Sequence, residues 1–220
     1  MIRAVIFDLD GVLIDSEPIW RRVEAKTYQA MGLPVTEKTF LATTGVRLDM
    51  AVAKTYEMFP WGPAPTKKEV VQKIISGMEK AIKKEGQAKD GVCETLALCQ
   101  KKGVKIALAT STYLRLVRIT LNALGLSKSF SVIHSGEHEK HPKPAPDIYL
   151  TVAKKLRVKP TECIAIEDSP VGIESATRAG MRCVAIVDPH HKSDPRYEIA
   201  DVRLNSLKDF NENIWEKLNP

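Results

Sequence analysis

Two aspartates, Asp8 and Asp10, end a short apolar run and stand directly before a glycine in FDLDGVLIDSEPIW (7–20). Residues i and i+2 of an extended segment point the same way, so both carboxylates are expected to face one pocket. Gly11 lets the chain turn sharply behind them. A turn-capping role would account for Asp10 but leave Asp8 without a purpose. A second acidic pair, Glu167-Asp168, ends CIAI just ahead of Ser169. Four carboxylates in one crevice protonate or repel unless a cation is shared among them. Oxygen ligands of this kind, completed by substrate oxygens and water, call for Mg²⁺. Zinc is not expected. His134, His138 and His141 lack helical ligand spacing, and Cys93, Cys99, Cys163 and Cys183 form no C-x-x-C pair.

Two more groups carry chemistry. Thr110-Ser111-Thr112 follows VKIALA and opens a helical pattern. Hydroxyls and free N–H groups at a helix N-terminus suit a phosphate, although Ser and Thr are also ordinary N-caps. Lys143 lies in HPKPAPD, where prolines 142, 144 and 146 confine the backbone. It is either presented to an anion from a stiff loop or solvated at the surface.

The elements that must position these groups are legible as an alternation. AVIF (4–7), VKIALAT (104–110), FSVIHS (130–135), CIAIED (163–168) and CVAIVD (183–188) read as buried strands. Helical patterns separate them. Leu114, Val117, Leu121 and Leu124 share a face that stops at Gly125, while Ser169, Pro170 and Gly180 punctuate another helix. Apolar strands joined by helices imply a parallel sheet covered on both sides, a doubly wound α/β core. Ligands of such sheets bind beyond the carboxyl ends of the strands, where all four groups fall.

Residues 16–85 interrupt the alternation. Ser16 is expected to cap a helix carrying Ile19, Trp20 and Val23, with Gly32 as its stop. A second helix is expected from Thr36 and a third from Arg47 to Phe59. After the loop PWGPAP, Thr66-x-x-Glu69 is a capping box for a helix with Val70, Ile74 and Met78 on one face. Four helices without a strand suggest a helical bundle inserted after the first strand. The expected division is a core of residues 1–15 and 86–220 with a cap of residues 16–85, hinged at the two crossings.

Bulk properties bound the partners. The chain of 220 residues carries 44% hydrophobic and 27% charged residues, which excludes disorder. No apolar run approaches the roughly 20 residues of a membrane span. Met1-Ile2-Arg3 before AVIF is not read as a signal peptide, and a cytoplasmic protein with buried free thiols is expected. The net charge of +6 admits nucleic acid, but lysines interleaved with acids in EKAIKKEG favour solvated helix faces, so nucleic-acid and membrane partners are not expected.

Taken together, FDLDG (7–11), ALATS (107–111), Lys143 within HPKPAPDIY and AIEDSPVGIESATRAGM (165–181) resemble the four motifs of the haloacid dehalogenase superfamily. The inserted helices resemble the β-phosphoglucomutase-like subgroup. DGVLIDSEPIW and GVRLDM are most similar to the 2-deoxyglucose-6-phosphate and hexitol-phosphate phosphatases. The resemblance implies a Rossmann-like core with a helical cap and Mg²⁺-dependent hydrolysis of a small sugar phosphate through an aspartyl-phosphate. It implies Asp8 as nucleophile and Asp10 as acid and then base. The Asp8 carboxylate, the Asp10 carbonyl and Asp168 would bind Mg²⁺, with Glu167 assisting directly or through water. Gly11, Thr110, Ser111 and Lys143 would meet the phosphoryl group. Glu17, Trp20, Gly45 and Arg47 are the cap residues expected at the substrate. β-Phosphoglucomutases carry a cap histidine at the position matching Trp20, so mutase chemistry is the alternative here, and a non-catalytic binding protein on the same fold a second. A monomer is expected, and His190 and His191 receive no role.

Overall fold

The structure, a computed structural model, describes residues 1–219. Large apolar residues alternate with small ones along the inner strands, and this alternation decides what packs on each side of the sheet. The strands are β1 (Ala4–Phe7), β2 (Lys105–Thr110), β3 (Val132–Ser135), β4 (Cys163–Glu167), β5 (Arg182–Ile186) and β6 (Val202–Leu204). Val5, Phe7, Leu108, Ile164, Ile166 and Val184 belong to one buried cluster, whereas Ala4, Ala107, Ala109, Ala165, Cys183 and Ala185 belong to another.

The six strands form one parallel sheet in the order β3-β2-β1-β4-β5-β6. Sequence order therefore runs outward in both directions from β1, which makes its carboxyl end the switch point at which open α/β sheets bind ligands. Register levels the strand ends, because Phe7 pairs with both Leu108 and Ile166. Asp8, Ala109 and Glu167 thus emerge at one height.

Between β1 and β2 come α1 (Glu17–Gln29), a 3-10 helix over Glu37–Thr43, α2 (Leu48–Met58), α3 (Lys67–Glu85) and α4 (Val92–Lys101). α5 (Leu114–Ala123), α6 (Asp147–Leu156), α7 (Pro170–Arg178) and α8 (Glu212–Leu218) follow. Val92, Leu96, Leu116, Val117 and Leu121 of α4 and α5 join the cluster of large strand residues. α6 and α7 join the cluster of small ones with Ile148, Tyr149, Val152, Ile173 and Ala176. The small residues leave room for the Tyr149 ring against the sheet, which matters at the site below. No described helix is long and apolar enough to cross a membrane.

One local expectation needs correction: Ser16 precedes α1 without capping it, because its hydroxyl is used elsewhere. The short strand β6 adds to the five expected, and the helix expected from Thr36 is a 3-10 helix. The Thr66–Glu69 capping box forms as expected, as does the Ser169 cap on the Gly172 amide.

Candidate active site

The end of β1 places the Asp8 carboxylate in a nearly water-free setting, where it meets a buried ammonium. Lys143 is only 7% exposed, so it is not a solvated surface lysine. Its Nζ donates to Asp8 Oδ1 at 2.8 Å, to Glu167 Oε1 at 2.6 Å and more distantly to the Ala109 carbonyl. Burial works against the ammonium, but Asp8 and Glu167 outweigh it and hold its pKa above the ordinary lysine value.

Both oxygens of Glu167 are engaged. Oε1 also accepts from the Tyr149 hydroxyl at 2.6 Å, and Oε2 accepts from the Asp168 and Ser169 amides and the Ser169 hydroxyl. Gly172 permits this arrangement, since a Cβ there would lie 2.1 Å from the Glu167 carboxylate. Glu167 thereby fixes Lys143 and the start of α7.

Asp168, by contrast, is 4% exposed and its carboxylate accepts no hydrogen bond from the described residues. It packs against Gly11, where φ is +71° and a Cβ would stand 1.7 Å from Asp168 Oδ2, so only glycine fits. Oxygens of Asp8, Glu167 and Asp168 come within 4.8 Å of one another. Burial raises the Asp168 carboxyl well above the ordinary range, and the charges of Glu167 and Asp8 add to it. Burial also pushes the Asp8 carboxyl up, with the Lys143 ammonium pulling against it. A crowd of acids held this way with one lysine is short of positive charge.

Asp10 lines the same pocket, but its side chain does not join that cluster. Oδ1 accepts from the Ser16 hydroxyl at 2.5 Å and the Trp20 indole N–H at 2.9 Å, and Oδ2 accepts from the Thr112 hydroxyl at 2.5 Å. Trp20 is therefore not confined to bundle packing. Thr110 is buried at the end of β2 and accepts the Thr112 amide on its hydroxyl. The Ser111 hydroxyl donates to the Gly45 carbonyl at 3.1 Å, tying the insert to the core. Gly45, at φ +75°, lies so close to Ser169 that a Cβ would meet its hydroxyl at 2.6 Å.

Helix α1 supplies one wall of the pocket through Glu17, Trp20, Arg21 and Glu24, and Phe40 and Leu48 close it beyond them. Glu17 accepts from the Thr44 hydroxyl at 3.2 Å and pairs with Arg21 at 3.7 Å. Burial, followed by the Asp10 charge, pushes Glu17 up to about 7. Arg47, expected at the substrate, is not among the lining residues. Its guanidinium holds both Asp49 oxygens, at 2.7 and 2.9 Å, and donates to the Gly136 and Glu139 carbonyls at 3.0 and 2.9 Å. That is a strap between insert and core. Tyr149 and Glu24 are the contributors that sequence alone did not single out. Tyr149 acts through Glu167, 18 positions away, and Glu24 through its place on the pocket wall, so only helical phase could have hinted at them.

Residues 5–186 match the family model described as haloacid dehalogenase-like hydrolase. The chain is 37% identical over 210 residues to hexitol phosphatase B of Escherichia coli strain K12, covering 95% of this chain and 94% of that one. It is 33% identical over 189 residues to a phosphorylated carbohydrates phosphatase of Thermotoga maritima, covering 82% of each. Among solved structures, a β-phosphoglucomutase of Clostridium difficile superposes with a TM-score of 0.87 at 25% identity, covering 100% of this chain and 98% of the other. The chain belongs to the haloacid dehalogenase-like hydrolases, in the β-phosphoglucomutase-like subgroup.

Proposed function

We propose that this haloacid dehalogenase-like hydrolase is a Mg²⁺-dependent phosphatase that cleaves a small hexose, deoxyhexose or hexitol phosphate through a phosphorylated Asp8. The observation that carries the reading is the buried Asp8–Lys143 contact of 2.8 Å, set beside the acidic cluster at the floor of a pocket. Kinship with phosphatases of hexitol and other carbohydrate phosphates supports the substrate class.

In this mechanism an Asp8 oxygen forms a bond to phosphorus as the bond from phosphorus to the sugar oxygen breaks. Asp10 hands its proton to the departing oxygen. It then takes a proton from the water that attacks the aspartyl-phosphate, which frees inorganic phosphate and restores Asp8. Lys143, Thr110, the Ser111 amide and the Gly11 turn hold phosphoryl oxygens. Uncatalysed phosphate-monoester hydrolysis is so slow that enzymes accelerate it by as much as ~10²¹, and positioning with charge stabilisation supplies most of that.

The acidic cluster fits a magnesium ion. Its three carboxyls crowd within 4.8 Å, and the Asp168 carboxylate, packed against a glycine, accepts no hydrogen bond among the described residues. Asp8, Asp168 and the Asp10 carbonyl would hold the ion, with Glu167 behind them. When bound, Mg²⁺ supplies the positive charge that offsets the phosphoryl oxygens and the ionised nucleophile. Residues 16–85 serve as a cap over the core of residues 1–15 and 86–220, closing over the sugar and opening for release.

The likeness to a β-phosphoglucomutase keeps a second reading in view, in which the phosphoryl group returns to sugar. Trp20 offers no acid or base for that step, and the Arg47 guanidinium is already engaged by Asp49 and two carbonyls. Phosphate release should appear with Mg²⁺ across a panel of hexose and hexitol phosphates, vanish with a chelator and vanish in Asp8→Asn. Full turnover in Asp8→Asn contradicts the nucleophile. Conversion of one sugar phosphate into its isomer without free phosphate favours the mutase.

A further inference from the structure

Glu24 is a buried carboxyl that the reaction does not use. It is 6% exposed, lines the pocket, and accepts no hydrogen bond and pairs with no cation among the described residues. A carboxyl facing a pocket without a protein partner is costly to keep there, and apolar packing would serve the helix better. Its neighbours define where it stands. Glu17, Trp20, Arg21 and Glu24 lie at i, i+3, i+4 and i+7 of α1 and so share one face. Glu17 and Glu24 are two turns apart, roughly 10 Å along the axis.

Contacts order them relative to the chemistry. Ser16 and Trp20 both touch Asp10, and Glu24 stands one turn further along the same row of α1, so it marks the end of the pocket away from the reacting group. Phe40, stacked on Tyr28 one turn beyond Glu24, gives that end an apolar wall. The only cations lining the pocket among the described residues are Lys143 at the floor and Arg21, which Glu17 already pairs. A second phosphate or a carboxylate on the substrate would meet two acids there and no free base. A hydroxyl would find an acceptor.

We propose that Glu24 is a specificity residue that takes hydrogen bonds from hydroxyls at the far end of the substrate and, with Glu17, rejects a second anionic group. The preferred substrates are then monophosphates of a neutral polyhydroxy chain rather than bisphosphates or phosphorylated sugar acids. This rests on the phosphatase reading of the site. It also predicts which step is touched, because a contact remote from phosphorus acts mainly on substrate binding.

The test is kcat/KM of the wild type, Glu24→Gln and Glu24→Leu with Mg²⁺, measured on a hexitol monophosphate, a hexose bisphosphate and p-nitrophenyl phosphate, which has no hydroxyl to read. In Glu24→Leu the ratio of hexitol monophosphate to p-nitrophenyl phosphate should fall about tenfold to a hundredfold, chiefly through KM, the range expected when a hydrogen bond in a buried site is lost and its partner is left unsatisfied. Glu24→Gln should lie between, and the bisphosphate should gain relative to the monophosphate in both variants. Ratios unchanged within about twofold overturn the assignment, and so does an equal loss on all esters, which would mark a packing role. A wild type that cleaves none of the esters overturns the phosphatase reading itself, and this inference with it.

Discussion

At the scale of single residues, Asp10 is the group whose surroundings say most. Three donors, Ser16, Trp20 and Thr112, fix its carboxyl between insert and core. The sequence made Asp10 conspicuous, because it lies two positions from Asp8 before a glycine. It could not announce the donors, since Thr112 is 102 residues away and Ser16 looked like an ordinary helix cap. Trp20 is informative in another way. It has no acid or base of its own, yet its indole N–H holds the carboxyl of Asp10, the proposed general acid. General acids matter in proportion to how poor the leaving group is. Trp20→Phe should therefore slow kcat for an alkyl phosphate about tenfold, the order of one lost hydrogen bond, and slow p-nitrophenyl phosphate much less. A uniform loss over both leaving groups would reduce Trp20 to packing. Glu167 shows the same separation of type from role. Its position beside Asp168 suggested metal assistance; it does join the Asp8–Asp168 cluster, and its oxygens in addition hold Lys143, Tyr149 and the α7 entrance.

At the scale of elements, α1 carries a cost that its sequence does not advertise. Burial, and then the Glu17 charge, push Glu24 up to about 8, against an ordinary glutamate value of 4.5. The sign follows from linkage. Below about pH 4.5 the carboxyl is neutral in both the folded and unfolded chain and costs nothing. As pH rises the unfolded chain ionises first, so stability is lost progressively until the pH passes about 8. Glu24→Gln cannot titrate. Its Tm should draw level with the wild type near pH 5 and exceed it by a few degrees near pH 8.5, as thermal melts at the two pH values would reveal. Glu17, also raised by burial, remains in both proteins, and removing the Glu24 charge beside it favours its ionised form in the variant, which acts in the same direction. A difference in Tm that does not change with pH contradicts the assignment.

Long, strongly patterned elements were legible for physical reasons. The capping box at Thr66 and the cap at Ser169 are local signals, and local signals survive folding. The first five strands stood out as apolar runs. β6 did not, because Val202–Leu204 has three residues with one of them exposed, too short for a periodic signal. The helix expected from Thr36 is a 3-10 helix over Glu37–Thr43, a distinction its Thr36 cap, common to both types, does not signal.

At the scale of the molecule, a parallel sheet that winds outward from β1 gathers groups more than 100 residues apart at one edge. Lys143 lies 135 positions from Asp8 in sequence and 2.8 Å from it in space. The insert is fastened over that edge by Arg47 on two core carbonyls, by Ser111 on Gly45 and by Arg115 on Glu79 at 2.8 Å. The doubly wound architecture could be read from alternation alone. The fastening could not, because side chains that strap two regions together follow no period. Arg47 was expected to touch substrate from the family resemblance, and a strap is what it makes in this structure.

In the proposed mechanism all of this serves one chemical event, transfer of a phosphoryl group to the Asp8 carboxylate. Acyl phosphates are reduced by borohydride, which converts a phosphorylated aspartate into homoserine. Enzyme quenched during turnover of a hexitol phosphate with Mg²⁺, reduced and digested for mass spectrometry, should carry homoserine at position 8 and nowhere else, and none when the metal is chelated beforehand. Homoserine absent at position 8 while phosphate is being released, or found at another acid, would contradict the account.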